Sequence, residues 1–517
     1  MSQTFVITTP DTVDTSKRVF PQAGVVNLKV IKNGDYRKTG IWINGTTVIA
    51  SHPLKIVGGK FTGFVSSGVT QNVVPSSVPV IDATTVTLAN SVFNYLEVTI
   101  DEGKPFAYIT TDYFVGDVCI AGGTEDTEAL IDYSVRPYFI ASFNGMFSNR
   151  KIRYDLTNWN TNPVLNMNLL FANNTKFNQD ISNWDVSNCT SFRQVFSGAV
   201  AFNKSLGKWN MSKAVSLFAM FAGANAFNQD IGAWNVSNVT DFSSLFNNAK
   251  SFDKNIGAWD LTKATTLANT FYGAWAFNQD IGAWNVSNVA DFTSLFRDAK
   301  SFNKSLANWN MIKATTISSI FHGASVFDQE LNSWNLSNCT SFASAFRNSI
   351  FNKSLSSWNV SKGTEFGGMF WNNTKFNQSL ANWDVSSAVN MVYMFAQATA
   401  FNQNISNWNI SKATDMNNMF NIATAFNQDL SAWCAKFNIN VNLANFLDNS
   451  GMSAANYSAF LNALWTDIGT TRQSAWAARA TAKILGAANL KYNSTAAAAR
   501  ASLIANGWTI TDGGQAA

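Results

Sequence analysis

The chain has 517 residues, a formal net charge of +4 and 13% charged residues, about half the share usual in soluble globular proteins. Its 41 Phe and 18 Trp supply a large core, so disorder is not expected over most of the length. Without long blocks of like charge or a run of about 18 apolar residues, we expect neither a nucleic-acid partner nor membrane insertion. The start, MSQTFVITTPDTVDTSKR, has no basic segment followed by an apolar run, so we expect no cleaved secretory leader.

Residues 1–137 predict an N-terminal all-β domain. The segments TFVITT, GVVNLKVI, GIWING, TTVIAS, TVTLA, YLEVTI, FAYITT and DVCIA are separated by Gly, Pro, Asn and Asp. Eight strands at this density predict a β-sandwich or small barrel. We interpret this domain as an attachment and oligomerisation module, and we expect a homo-oligomer.

A 25-residue repeat occupies residues 138–447. The string FNQDIGAWNVSNV stands at residues 227–239 and again at 277–289. Two phenylalanine columns and one tryptophan column keep this interval, with a single step of 24. The tryptophan column is Trp159, Trp184, Trp209, Trp234, Trp259, Trp284, Trp309, Trp334, Trp358, Trp383, Trp408 and Trp433. One coil cannot bury its own aromatic face, so the three columns predict a solenoid of about twelve coils with aromatic residues in its core.

The apolar spacing within a coil predicts one short strand and one short helix. Ile231-x-x-Trp-x-Val236 suits an extended segment, and Phe242, Leu245 and Phe246 have the i, i+3, i+4 spacing of helical turns. Asn or Asp usually follows the tryptophan, with Ser or Thr two residues later. We expect these side chains to satisfy backbone groups where the chain turns.

Residues 448–517 predict a C-terminal α/β cap. MSAANYSAFLNALWTDI indicates a helix with Ser453 as its N-cap, and the Ala-rich remainder ends in a strand-like WTIT. A solenoid exposes an apolar end unless another segment covers it. We therefore expect this segment to close the last coil.

The strings FNQDISNWDVSN, FNQDIGAWNVSNVTDF and SKATDMNNMF resemble those of the BspA-like leucine-rich-repeat surface proteins. The tail from NYSAFLNALW to WTITDGG is similar to the segment that closes many members. The resemblance implies a leucine-rich-repeat-like solenoid with one strand per coil. It also implies bacterial cell-surface adhesion or a place in phage and other viral proteins, and it carries over no catalytic residue.

The sequence offers no constellation of catalytic or metal-binding residues. His52 and His322 are the two histidines and lie in different regions, so neither a His-based triad nor a metal cluster is expected. No P-loop, GxSxG or HExxH is present. A glycan-active enzyme would also need a catalytic acid/base pair, and no such pair stands at matching positions of the repeat. Cys189 and Cys339 replace a valine of the repeat, which suits small buried thiols. They stand six coils apart, roughly 29 Å, and a disulfide needs Cα atoms within about 7 Å, so we expect both to be reduced. We predict a non-enzymatic protein without metal or cofactor.

Aromatic residues outside the columns are the candidate binding residues. Trp275, His322, Trp371 and Tyr393 break the repeat consensus in the part of the coil where binding faces of repeat proteins vary, although each could fill a local gap. A lysine column stands where most intervening coils have Asn, and it could meet an anionic glycan or form a solvated, charge-balanced face. Its members are Lys213, Lys263, Lys313, Lys362 and Lys412.

The resemblance, together with the absence of a leader and of an anchoring segment, favours a virion-exposed structural or adhesion protein of a phage. Such a fibre, decoration or tail-associated protein would dock on other virion proteins through the β domain. Its solenoid would bind a glycan or protein of the host surface. The alternative is a bacterial cell-surface adhesin whose export route is not visible.

Overall fold

The structure is a computed structural model that describes residues 143–149, 152, 156–157, 161–162 and 164–517, together with the backbone of the N-terminal strands given below. The chain divides into two compact units, Met1–Asp230 and Ile231–Ala517, and each is described by itself. The boundaries predicted after residues 137 and 447 stay predictions.

The N-terminal strands form one larger sheet and two hairpins. In the seven-stranded sheet, β1, β2, β9, β5, β4 and β3 are consecutive neighbours and β8 pairs with β5. The hairpins are β6–β7 and β10–β11. The strands are β1 (Gln3–Ile7), β2 (Val26–Ile31), β3 (Arg37–Lys38), β4 (Ile41–Asn44), β5 (Thr47–Ile56), β6 (Phe64–Ser66), β7 (Val69–Gln71), β8 (Ile81–Thr87), β9 (Tyr95–Ile100), β10 (Tyr113–Val115) and β11 (Val118–Ala121). The predicted strand FAYITT lies outside the described residues, and the sandwich or barrel class stays a prediction.

Each coil is a succession of four-residue turns with apolar residues at both ends. In the coil that begins at Ile281, the Trp284 N–H donates to the Ile281 carbonyl at 3.1 Å. The Leu295 N–H donates to the Phe292 carbonyl in the same way, at 3.2 Å. All four side chains are buried, so each of these two turns places two apolar side chains in the core.

Within each unit, backbone hydrogen bonds at every second residue join one coil to the next. The N–H groups of Ser294, Phe296 and Asp298 donate to carbonyls of the following coil at 2.8, 2.9 and 2.7 Å. Ser294 and Asp298 have positive φ angles of 54° and 55°. In each coil, a single-residue parallel β-bridge to the neighbouring coil lies just before the residues that make these hydrogen bonds. In the second unit the bridges connect, in order, Asp241, Thr266, Asp291, Thr316, Ser341, Glu365, Asn390, Asp415 and Asn442.

This geometry corrects the predicted strand and helix of the coil. The segment around Trp284, predicted to be extended, is a turn because the Trp284 N–H bonds within its own coil. The parallel bridge falls seven residues later, at Asp291. The segment Phe292–Phe296 is not an α-helix, because the Phe296 N–H bonds to the next coil instead of the carbonyl four residues back.

The aromatic columns form the core of both units, as predicted for the described members; Trp159 lies outside the described residues. Trp184 to Trp433 are at most 4% exposed. In the second unit, Trp284 and Trp309 stack with their ring centroids 6.5 Å apart, and Phe277 and Phe302 stack at 5.9 Å. The Trp284 Nε1 donates to the Ile256 carbonyl at 3.0 Å, so the polar atom of the indole is satisfied inside the core.

The second unit ends in short helices and a parallel strand pair. The helices are α1 (Ser431–Cys434), α2 (Ala454–Thr466), a π-helical segment (Asp467–Thr471), α3 (Gln473–Ala477), a 3₁₀ turn (Ser494–Ala496) and α4 (Ala497–Ala505). The strands β12 (Ile484–Ala487) and β13 (Thr509–Asp512) are parallel neighbours. No helix in the described part of the chain has the length and apolar character needed to cross a membrane.

Two features of this C-terminal region agree with the predictions from the sequence, and a third continues the hydrogen bonding of the coils. Ser453 caps α2 as predicted, because its side chain accepts a hydrogen bond from the Asn456 N–H at 3.3 Å. The predicted WTIT strand corresponds to β13. β12 lies beside the last coil, where the Gly486 N–H donates to the Leu443 carbonyl at 3.0 Å and thus extends the coil-to-coil hydrogen bonding.

Candidate functional site

The structure places three of the four candidate aromatic and histidine residues in one row on the second unit. One of the two phenylalanine columns includes Phe271, Phe296, Phe321, Phe346 and Phe370. The residue after each of these phenylalanines has the equivalent place in its coil, and Tyr393 of the next coil completes the row. We call this row the basic aromatic stripe; its members are Tyr272, Arg297, His322, Arg347, Trp371 and Tyr393. All six are half-buried, which leaves part of each side chain at the surface.

Contacts along the stripe are cation–π and stacking contacts. The Arg297 Cζ lies 5.2 Å from the centroid of the Tyr272 ring, and the Arg347 Cζ lies 3.6 Å from that of Trp371. Trp371 and Tyr393 stack with centroids 4.5 Å apart. The stripe therefore contains two groups of cations and rings in direct contact, Tyr272 with Arg297 and Arg347 with Trp371 and Tyr393.

Tyr393 occupies a strained backbone position. Its φ angle is 56°, and most coils have Ser, Asn or Gly at the equivalent position. A bulky residue in the left-handed region costs about 1–3 kcal/mol and persists only where its surroundings hold it. The stacking of Tyr393 on Trp371 supplies such a contact.

His322 lies in a positive electrostatic environment. Burial lowers its pKa to about 4, with further lowering by Arg297 and Arg347, while Asp298 acts in the opposite direction. Its Nε2 lies 3.3 Å from the Asn348 Nδ2. The imidazole is therefore neutral near pH 7.

The fourth aromatic candidate, Trp275, lies between two lysines. It is 41% exposed. The Nζ atoms of Lys250 and Lys300 each lie 4.2 Å from the centroid of a Trp275 ring. One lysine comes from the preceding coil and the other from the following coil, so the indole is flanked by two cations.

The lysine column makes hydrogen bonds to the asparagines of the preceding coils. Exposed ammonium groups donate to asparagine Oδ1 atoms, as in Lys263 to Asn238 at 2.6 Å and Lys313 to Asn288 at 2.6 Å. Lys213 and Lys362 do the same with Asn188 and Asn338. Lys412 has the same exposed position, but the preceding coil has Ser387 there.

Sequence reasoning missed the four cations that contact the candidate aromatics. Each of these cations stands at a repeat position where another coil has one of the candidate residues. Arg297 and Arg347 occupy the position that holds His322 and Trp371 in other coils. Lys250 and Lys300 occupy the position of Trp275. Comparison of equivalent positions, coil by coil, could have found them. Their contacts with the rings could not be read from the sequence.

The buried cysteines and the acidic residues in the described part of the chain do not form a metal site. Cys189, Cys339 and Cys434 are buried free thiols, and burial raises the pKa of Cys189 and of Cys339 to about 12. Among the described residues, no group of three or more His, Cys, Asp and Glu side chains could hold a metal ion. The chemistry available at the stripe is that of binding through charge, hydrogen bonds and ring contacts.

The repeat also identifies the relatives of this chain. A family model described as "Mycoplasma protein of unknown function, DUF285" matches residues 141–259, 242–350 and 340–458. Together the three matches cover more than half of the chain and fall on its coils. Comparisons with curated proteins and with solved structures gave no match.

Proposed function

Because the chain belongs to the DUF285 family of BspA-like and Mycoplasma repeat proteins, we propose that it is a non-enzymatic surface protein that binds a partner. The observation that carries this proposal is the basic aromatic stripe. Its cations and rings are half-exposed, whereas the aromatic residues of the columns are buried. The left-handed backbone position of Tyr393 recurs in the other described coils, so the feature particular to this row is the set of cations and rings in contact at the surface.

We further propose that the coils form a leucine-rich-repeat-like solenoid displayed on a phage particle as a fibre, decoration or tail-associated protein. The N-terminal strands would dock on other virion proteins and support a homo-oligomer. The coils would contact a glycan or protein of the host surface. The resemblance to repeat proteins that occur in phages supports this placement.

A bacterial cell-surface adhesin is the second candidate. The description of the family model names mycoplasmas, which favours a cellular setting. In that setting the stripe would have the same role, and the partner would be a surface that the bacterium colonises.

Mass spectrometry of two fractions from the source culture separates these settings. Density-purified particles and washed cell envelopes are compared for the abundance of this chain. Stoichiometric enrichment in particles supports the virion placement. Enrichment in envelopes without a particle signal contradicts it and supports the adhesin, and a chain found in neither fraction contradicts the surface proposal itself.

A further inference from the structure

The rings of Trp275 and Trp371 are covered by side chains of neighbouring coils. Lys250 and Lys300 lie on Trp275, while Arg347 and Tyr393 lie on Trp371. A ring that attracts a cation to its face restricts the positions that the cation can take. These two indoles therefore hold cations in place at the surface and do not offer open faces to a ligand.

The cations held in this way have few carboxylate partners. Arg297 forms one ion pair, with Asp298 at 3.6 Å. Within the described part of the chain, no carboxylate lies within ion-pair distance of Lys250, Lys300 or Arg347. The buried Nε atoms of Arg297 and Arg347 also lack a hydrogen-bond partner among those residues. Three of these four positioned cations thus have no described carboxylate within ion-pair distance, which leaves their charge available to attract anions.

Building on the proposed function, we propose that Lys250, Arg297, Lys300 and Arg347 bind an acidic polysaccharide, a linear glycan with repeated carboxylate or sulfate groups. The cations recur fifty residues apart, Lys250 with Lys300 and Arg297 with Arg347, and so occupy alternate coils. A polymer with regularly repeated charges can contact several of them at once. Arginine also donates paired hydrogen bonds to planar carboxylates and to other oxyanions.

The same observations favour a glycan over a nucleic acid. Proteins that bind single-stranded nucleic acid stack bases on open aromatic faces. Here Trp275 and Trp371 have their faces covered. Nucleic-acid surfaces also have a strong excess of positive charge, whereas the whole chain has a net charge of +4. An acidic glycan requires only the cations and hydrogen-bond donors.

His322 provides an internal reporter of anion binding. Burial, Arg297 and Arg347 lower its pKa to about 4. An anion on the two arginines would offset their field, and the pKa of His322 would rise on binding. The chain has two histidines, so selective histidine labelling gives two NMR signals, and His52→Gln identifies which belongs to His322.

The test measures binding of the full-length chain to heparin and to polygalacturonate, with neutral dextran and a DNA oligonucleotide as comparison probes. We expect the two acidic glycans to bind and dextran not to bind. Arg297→Gln/Arg347→Gln should weaken glycan binding by roughly tenfold or more, as for loss of charged hydrogen bonds. The slope of log Kd against the logarithm of the salt concentration should decrease by about one for each cation removed.

Lys263→Gln/Lys313→Gln is the matched control. It removes the same charge from the lysine column, whose ammonium groups already donate to asparagine oxygens. We expect it to leave glycan affinity within about twofold of wild type if Lys250, Arg297, Lys300 and Arg347 are the site, since exposed charges outside a binding site contribute little. Trp275→Leu keeps every charge but removes the ring between Lys250 and Lys300, and should weaken binding by a few-fold.

The outcomes separate this inference from the proposed function. Equal loss in the arginine variant and in the lysine-column control contradicts the assigned site and indicates general charge attraction. DNA binding with the same dependence on Arg297 and Arg347 contradicts the glycan assignment. If no acidic glycan binds, yet the chain is enriched in particles or envelopes, the inference fails and the surface function stands.

Discussion

At the scale of single residues, the same side-chain type has two roles according to its surroundings. Trp284 is 4% exposed, and its Nε1 donates to a backbone carbonyl in the core. Trp275 is 41% exposed and contacts two ammonium groups instead. The column tryptophans therefore contribute to stability, and Trp275 contributes to the organisation of surface charge.

Trp284→Ala should lower the free energy of unfolding by about 3–5 kcal/mol, because it removes a buried indole and leaves a cavity. Trp275→Ala is the matched control and should cost no more than about 1–2 kcal/mol, from two exposed cation–π contacts. Urea unfolding followed by circular dichroism measures both. A Trp284→Ala protein that unfolds like wild type but loses partner binding would show that the column is a binding surface.

His322 should make stability depend on pH between about 4 and 6.5. Its folded pKa of about 4 lies below the unfolded value of 6.5 because of burial and of Arg297 and Arg347, partly opposed by Asp298. As the pH falls through this window, the unfolded state takes up the proton first, so the free energy of unfolding decreases. Urea unfolding at pH 7 and pH 4.5 should show a smaller decrease for His322→Gln than for wild type. An unchanged decrease in the variant would contradict the assigned environment.

At the scale of elements, asparagine side chains join the FNQ segments of successive coils. The Asn377 Oδ1 accepts from the Asn402 N–H and from the Gln403 Nε2, both at 3.0 Å. The Asn377 N–H donates in turn to the Asn352 Oδ1 at 3.0 Å. Where a coil has Asp328 instead, its carboxylate accepts the equivalent bond from the Asn352 N–H at 2.8 Å.

Asn377→Ala should destabilise the protein by about 0.5–1.5 kcal/mol, because it removes the acceptor of two exposed hydrogen bonds that water can partly replace. Asn377→Asp keeps an oxygen acceptor, as Asp328 does, and should lie close to wild type. The midpoint and slope of urea unfolding of the three proteins give the comparison. Equal destabilisation by both variants would mean that the amide group, and not its acceptor oxygen, is required.

The coil also shows how far local sequence patterns predict elements. The corner after the tryptophan was predicted correctly for Trp184 to Trp408, as in Asp260, whose carboxylate accepts from the Thr262 N–H at 2.9 Å. The predicted helix at Phe242–Phe246 was wrong, since an i, i+3 spacing of apolar residues is common to helices and to four-residue turns. Hydrogen bonds to the next coil decide between them, and no single coil contains that information.

At the scale of the whole molecule, the C-terminal region covers the aromatic residues of the last coil. Phe460 of α2 packs edge-on against Phe437 at 6.2 Å and lies 6.3 Å from Phe446. Arg472 binds the carboxylate of the buried Asp467 and donates to the carbonyls of Cys434 and Phe437. These contacts fit the predicted capping role.

Deletion of residues 448–517 should lower the free energy of unfolding of the second unit by about 3–6 kcal/mol, because Phe437 and Phe446 become exposed. The truncated chain should also self-associate. Thermal unfolding and light scattering measure both effects, and Asp467→Asn provides a milder variant that keeps the chain length. A truncated chain that stays monomeric with an unchanged Tm would contradict the capping role.

The sequence alone determined the repeat interval, the buried aromatic columns, the N-cap at Ser453 and the family. The interval, the columns and the family follow from spacings that recur from coil to coil, and the N-cap follows from the local sequence at the start of α2. Tertiary structure decided the turn geometry of the coil, the pairing of Lys263 with Asn238, and the cation contacts of Trp275 and Trp371. These contacts join residues about 25 positions apart. Whether an exposed ring offers an open face or holds a cation is therefore settled only when neighbouring coils lie side by side.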